Sequence, residues 1–205
     1  MGKKPPEELY KYKIVCMAVL ERLSEQGLID LYYGDETGVS TAGYCPYAWQ
    51  HKDEDLSVAA LPISRQRLNC FGCISRTNHF WSATTAKAVD GEFIFEQLNA
   101  FTQTLTKPAV LVLDNARIHK TDKILRHLEQ WQQSNLYIFY LPPYSPHLNI
   151  AETLWRVMKG KWLEVKDYGS AQTLFEATKK CLKEVGITRT IHFSPFTINY
   201  FPRGT

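Results

Sequence analysis

Ala109-Val110-Leu111-Val112-Leu113-Asp114-Asn115 is the stretch on which the fold turns. Five apolar residues with no polar alternation are what a strand covered on both faces requires. A second apolar run, residues 136–141, follows after a segment with helical periodicity at 120–133. Strand, helix and strand in that order form the unit of a parallel pair joined by a helical crossover. Upstream, residues 28–33 are apolar and β-prone, and short strands are expected at 47–50, 68–75 and 79–84. Helices are expected at 5–26, with Leu9, Tyr12, Cys16, Val19 and Leu23 on its apolar face, and at 91–105, with Phe93, Phe95 and Leu98 inward. Two more are expected at 150–163 and 170–185, and the aromatic tail after Gly186 has no assignment. The sum is an α/β chain with a mixed sheet flanked by helices. Residues 1–27 form an N-terminal helix or linker, and 28–205 form one domain.

The 205 residues carry 44% hydrophobic and 22% charged side chains, ordinary values for a globular protein. The balance of 24 Lys+Arg against 21 Asp+Glu leaves a net charge of +3, which permits a nucleic-acid partner without arguing for one. The five cysteines, Cys16, Cys45, Cys70, Cys73 and Cys181, are odd in number and scattered, so free thiols in a reducing cytoplasm are expected. Cys70-Phe71-Gly72-Cys73 lacks the second pair that a zinc site needs, and buried free cysteines are the better reading. No apolar run is long enough to span a bilayer, so no membrane partner is expected.

Three carboxylates occupy places where chemistry gathers. Asp35 and Asp114 each follow an apolar run, and ligands of open α/β sheets collect at strand ends. Either could instead begin a turn or cap a helix. Glu152 lies in the first turn of a helix, where Asn149 and Glu152 also have the spacing of a capping box. Together the three make an all-oxygen donor set that suits Mg²⁺ or Mn²⁺ rather than zinc.

Tyr33-Gly34-Asp35-Glu36-Thr37-Gly38, Leu111-Val112-Leu113-Asp114-Asn115-Ala116-Arg117-Ile118-His119 and Leu141-Pro142-Pro143-Tyr144-Ser145-Pro146-His147-Leu148-Asn149-Ile150-Ala151-Glu152 resemble the mariner-like insertion-sequence transposases. These are of the DDE class, named for Asp, Asp and Glu. The resemblance covers about residues 28–190, and the proline loop before Glu152 is its most specific part. It implies a ribonuclease-H-like fold in which Asp35, Asp114 and Glu152 bind two divalent cations, Mg²⁺ with Mn²⁺ able to substitute. It implies cleavage of phosphodiesters at transposon ends and strand transfer into target DNA. It also implies double-stranded DNA as partner, a homodimer in the DNA complex and a cytoplasmic, nucleoid-associated location.

Supporting roles follow from position. Asn115 is expected to orient Asp114 or touch phosphate, and His119 to contact DNA or a carboxylate. Glu36 reads as a solvated or arginine-paired acid. Arg65, Arg67 and Arg76 lie in a stretch without acids from Leu56 to Lys87. Arg117, Lys120, Arg156, Lys159 and Lys161 surround the site in sequence. These are candidate DNA contacts, although Arg156 could instead pair with Glu152 one turn away. Tyr144 and Trp155 could stack on a base or simply pack. Full-length relatives carry paired helix-turn-helix modules, and there is room for one helix before the first strand. End recognition by a separate domain or protein is therefore expected. Two other readings stay open: a non-catalytic DNA-binding or assembly protein of the same stock, and a ribonuclease-H-like nuclease acting on RNA–DNA hybrids.

Overall fold

The computed structural model describes residues 6–41 and 66–197. The strand expected at 47–50, Cys45 and Arg65 lie outside them. Helix α1 (Glu7–Glu25) leads into β1 (Asp30–Ser40), β2 (Arg67–Ile74), β3 (Phe80–Thr85), α2 (Gly91–Thr102), β4 (Ala109–Leu113), α3 (Asp122–Gln133), β5 (Leu136–Tyr140), α4 (Ala151–Val157) and α5 (Ala171–Glu184). The strands form one mixed sheet in the order β3-β2-β1-β4-β5. β1 is antiparallel to β2 and parallel to β4, which is in turn parallel to β5. This is the mixed, helix-flanked sheet expected of a ribonuclease-H-like chain.

β4 is buried at all five positions, as its unbroken apolar run requires. Its side chains alternate between two cores. Val110 and Val112 join Met17, Tyr33, Leu154, Trp155, Leu174 and Leu182 on the face covered by α1, α4 and α5. Leu111 and Leu113 join Phe71, Ile94, Leu98, Phe101, Ile124 and Trp131 on the face covered by α2 and α3. β5 is equally apolar in sequence but is an edge strand, with only Leu136 buried and Tyr137 exposed. Its open edge and thinner cover explain the difference, which composition alone does not carry.

β1 runs past the expected end at residue 33. Antiparallel pairing with β2 continues from Tyr33↔Ile74 to Ser40↔Arg67 and carries the extended backbone through Gly34-Asp35-Glu36-Thr37-Gly38. Asp35 is thus inside a strand, not after one. The parallel pairing with β4, however, stops at Tyr33↔Val112, so Asp35 still lies beyond the end of the parallel half. Gly34 is required by a close approach. A Cβ there would lie 2.6 Å from Leu113 Cδ2 and 3.2 Å from Leu111 Cδ1.

α1 packs through Ile14, Met17 and Glu21, while Leu9, Tyr12 and Val19 of the expected apolar face are exposed. The inward face carries an acid because that acid is paired. Arg76 donates from Nε to both Glu21 carboxylate oxygens at 2.8 Å, and the Tyr33 hydroxyl donates to Oε1. Arg76 Nη1 also donates to the Ser194 carbonyl at 2.6 Å. Arg76 is therefore engaged as a structural cation. It helps to hold the tail, whose Ile191 is buried and bracketed by Asn78. Asn78 Nδ2 donates to the Ile191 carbonyl at 3.0 Å, and the Ile191 amide donates to Asn78 Oδ1 at 2.7 Å.

The remaining helices are shorter than their apolar patterns suggest. α2 ends at Thr102 and buries Ile94, Leu98 and Phe101, leaving Phe93 and Phe95 at its margin. α3 is preceded by a 3₁₀ turn, Arg117–Lys120. α4 gives way to a π turn, Met158–Trp162. Cys70, Cys73 and Cys181 are buried free thiols.

Candidate active site

Side chains alternate along β1, so Asp35 and Glu36 leave it on opposite faces. Asp35 shares its face with Tyr33 and looks toward α4. A cleft of about 660 Å³ separates β1, from Asp35 to Ser40, from Glu152, Trp155, Arg156 and Lys159. Burial pushes the Asp35 carboxyl up to about 7, and the negative charges of Glu36, Glu152 and Asp114 push the same way.

Asn149 holds Glu152 opposite Asp35. Its Nδ2 donates to the Gly34 carbonyl at 2.9 Å, and its Oδ1 accepts from the Ala151 amide at 3.0 Å. The Glu152 side chain closes no capping box, and Ile150 stands at the cap position. Asn149 instead ties the start of α4 to the residue before Asp35. Asn149→Ala is expected to cost about 1–3 kcal/mol, because it strips a buried carbonyl of its donor. Urea unfolding of the two proteins checks this.

Asp114 is the first residue after β4. Continuing the register beyond Tyr33↔Val112 brings it alongside Asp35. Its Oδ1 accepts from the Ala116 amide at 2.8 Å and from His119 Nδ1 at 2.7 Å. The other ring nitrogen, His119 Nε2, lies 2.6 Å from Glu36 Oε1. Burial opposes a charge on His119, but the two carboxylates outweigh it and raise the imidazole to about 10. With a carboxylate oxygen within 2.7 Å of each ring nitrogen, the protonated imidazole is the form that can donate to both. The hydrogen bond from His119 in turn holds the Asp114 carboxyl below its ordinary range.

Asp35 and Glu152 share the cleft, and Asp114 stands beside it without lining it. Among the described residues, no three acidic, histidine or cysteine side chains are grouped closely enough to form a finished metal site. The donors nonetheless suit a hard divalent cation. They are all carboxylate oxygens, and the partly buried Asp35 is surrounded by like charges that a cation would relieve.

Asn115 does not orient Asp114. Its Nδ2 donates to the Leu141 carbonyl and its Oδ1 accepts from Lys120 Nζ, which joins the ends of β4 and β5. Lys120 also lies 4.4 Å above the Tyr140 ring, so its charge is already engaged. Arg156 and Lys159 line the cleft. Burial lowers the Lys159 amine, with the neighbouring Arg67 adding to the effect. Arg67 is exposed, and its guanidinium lies against Gly38. Arg117 and Lys161 are exposed and do not line the cleft. Arg156 forms no ion pair with Glu152. Trp155 is buried against Gly72 and is a packing residue, whereas Tyr144 is exposed and backbone-strained, with φ +56°. Sequence reasoning missed Glu36 as the partner of His119. The available signal was that consecutive acids on a strand serve opposite faces.

The family model described as a DDE superfamily endonuclease matches residues 30–174. The chain is similar in fold to a Mos1 strand transfer complex, with TM-score 0.60 and 15% identity, covering 91% of this chain and 59% of that one. It is similar to a Mos1 mariner paired end complex with Mn, with TM-score 0.58, 15% identity and coverage of 91% and 63%. It is also similar to the Mos1 transposase catalytic domain with Raltegravir and Mn, with TM-score 0.53, 12% identity and coverage of 89% and 85%. An uncharacterized protein of Sinorhizobium fredii (strain NBRC 101917 / NGR234), y4pE/y4sA, is 38% identical over 68 residues, which is 32% of this chain and 46% of that protein. The chain spans about three-fifths of the Mos1 chains in the first two complexes. The matched family model covers both candidate aspartates and the glutamate, and with a ribonuclease-H-like sheet beneath them the chain belongs to the DDE superfamily endonucleases.

Proposed function

We propose that the chain is the catalytic domain of a DNA transposase, cutting phosphodiesters at transposon ends and joining the freed end to target DNA. The observation that carries this reading is that Asp35 and Glu152 line one cleft, with Asp114 just past the end of the adjacent parallel strand β4. Asp35, Asp114 and Glu152 would hold Mg²⁺ or Mn²⁺, two ions in all. When bound, such ions polarise the phosphate and stabilise charge on the attacking and leaving oxygens. Arg156 and Lys159 in the cleft wall, with Arg67 at its rim, supply positive charge for a DNA strand. Arg117 and Lys161 would extend that charge outside the cleft. Double-stranded DNA as substrate, a homodimer in the complex, end recognition by a further domain or protein, and action in the cytoplasm at the nucleoid belong to the same proposal. Among the described residues, no helix is long and apolar enough to cross a membrane.

The test is nicking of supercoiled plasmid with Mn²⁺ by the wild type and by Asp114→Asn. Nicking that the variant loses supports the reading. Nicking that persists in Asp114→Asn overturns it. DNA retained on a gel without nicking by either protein moves the assignment to a non-catalytic DNA-binding protein. Preferential cutting of RNA–DNA hybrids moves it to a hybrid-specific nuclease.

A further inference from the structure

We propose that Glu36 is a positioning residue, acting through His119 to fix the Asp114 carboxylate with Oδ2 presented for a divalent cation. The inference rests on the proposed function, because it assigns Asp114 as a metal ligand. Both hydrogen bonds received by Asp114, from the Ala116 amide and from His119 Nδ1, fall on Oδ1. Oδ2 receives none among the described residues, and the Asp114 side chain is half exposed. The carboxylate is therefore clamped by one oxygen and open at the other.

The clamp is only as firm as the imidazole. His119 is fully buried, and its Nε2 is tied to Glu36 Oε1 at 2.6 Å. Its carbonyl accepts from the Tyr140 hydroxyl at 2.8 Å, which fixes the backbone beneath the ring. A ring anchored at both nitrogens cannot turn without breaking a charge-assisted bond. Glu36 supplies the anchor on the side away from Asp114. It leaves β1 on the face opposite Asp35, so adjacent residues of one strand serve two carboxylates. Asp35 enters the cleft directly, and Asp114 is set through the Glu36–His119 string. Partners of this kind orient metal-binding groups, and their loss typically weakens metal affinity by about 10–100-fold.

The experiment measures Mn²⁺ affinity from the free-ion signal in electron paramagnetic resonance. Wild type, Glu36→Gln, His119→Gln and the double variant are compared, with melting curves in chelator for each. Glu36→Gln is expected to weaken Mn²⁺ binding about 10-fold while the chelated protein still melts cooperatively. In the His119→Gln background, the same substitution is expected to change nothing further. If His119→Gln does not fold, His119→Asn, which places an amide nitrogen near the Nδ1 position, replaces it. Wild-type affinity in Glu36→Gln overturns the proposal, even if the melting temperature falls. An equal loss with and without His119 also overturns it, because Glu36 would then act on the ion by its own charge. Asp114→Asn is the control. If it binds Mn²⁺ as the wild type does, the metal-ligand assignment itself fails, and the positioning role fails with it.

Discussion

Arg76→Ala is expected to destabilise the protein by about 3–5 kcal/mol, read as a lower urea midpoint with an unchanged slope. The substitution leaves the Glu21 carboxylate buried beneath α1 with only the Tyr33 hydroxyl as a partner. It also frees the Ser194 carbonyl. An uncompensated buried charge is far more costly than the pair itself is stabilising. Replacing both partners, as in Glu21→Leu with Arg76→Met, is therefore expected to recover most of the loss. A double variant as unstable as Arg76→Ala would mean that the pair contributes packing rather than charge compensation.

Asp35→Asn is expected to move stability and activity in opposite directions. Burial and the neighbouring carboxylates push the metal-free Asp35 carboxyl up to about 7, against an ordinary value near 4. An acid raised in the folded state lowers stability wherever it must ionise. The penalty is absent below about pH 4, grows as the pH rises toward 7, and is complete above that. A tenfold change in proton affinity is worth about 1.4 kcal/mol, so the full penalty is on the order of 4 kcal/mol. Asp35→Asn is thus expected to stabilise the chelated protein by about 2–4 kcal/mol at pH 8 and by nothing at pH 4. Thermal melts at the two pH values check this. Mn²⁺-dependent cleavage is expected to fall by at least about 100-fold in the same variant. A variant that is less stable at pH 8 would show that Asp35 is held by a hydrogen-bond network rather than strained by burial.

The order of elements was legible because buried strands and capped helices leave local marks. Five unbroken apolar residues identified β4, and the helix expected at 170–185 is α5, where the Ser170 hydroxyl accepts from the Thr173 amide at 3.1 Å. Two classes of feature were not legible. One is the depth of an apolar strand, since β4 and β5 look alike until the sheet order makes one central and the other an edge. The other is any polar contact between distant segments. Leu9, Tyr12 and Val19 made a plausible inward face for α1, yet the face carrying Glu21 wins because Arg76, far along the chain, neutralises it. The three carboxylates could be named from their motifs. The Glu36–His119 link and the Asn149–Gly34 bond could not, because each joins residues from different motifs through the fold.

The parallel pairing of β1 with β4 also has a consequence in time. Asp30 meets Ala109 only after β2, β3 and α2 have been made, and Glu152 follows later still. Contacts between segments so distant in the chain are slow to form during folding. A ribosome-bound fragment ending before β4 has neither Asp114 nor the strand that sets it beside Asp35. Any reaction that needs all three carboxylates is therefore withheld from the nascent chain. The three are together only when synthesis has passed α4 and the central pair of strands has closed.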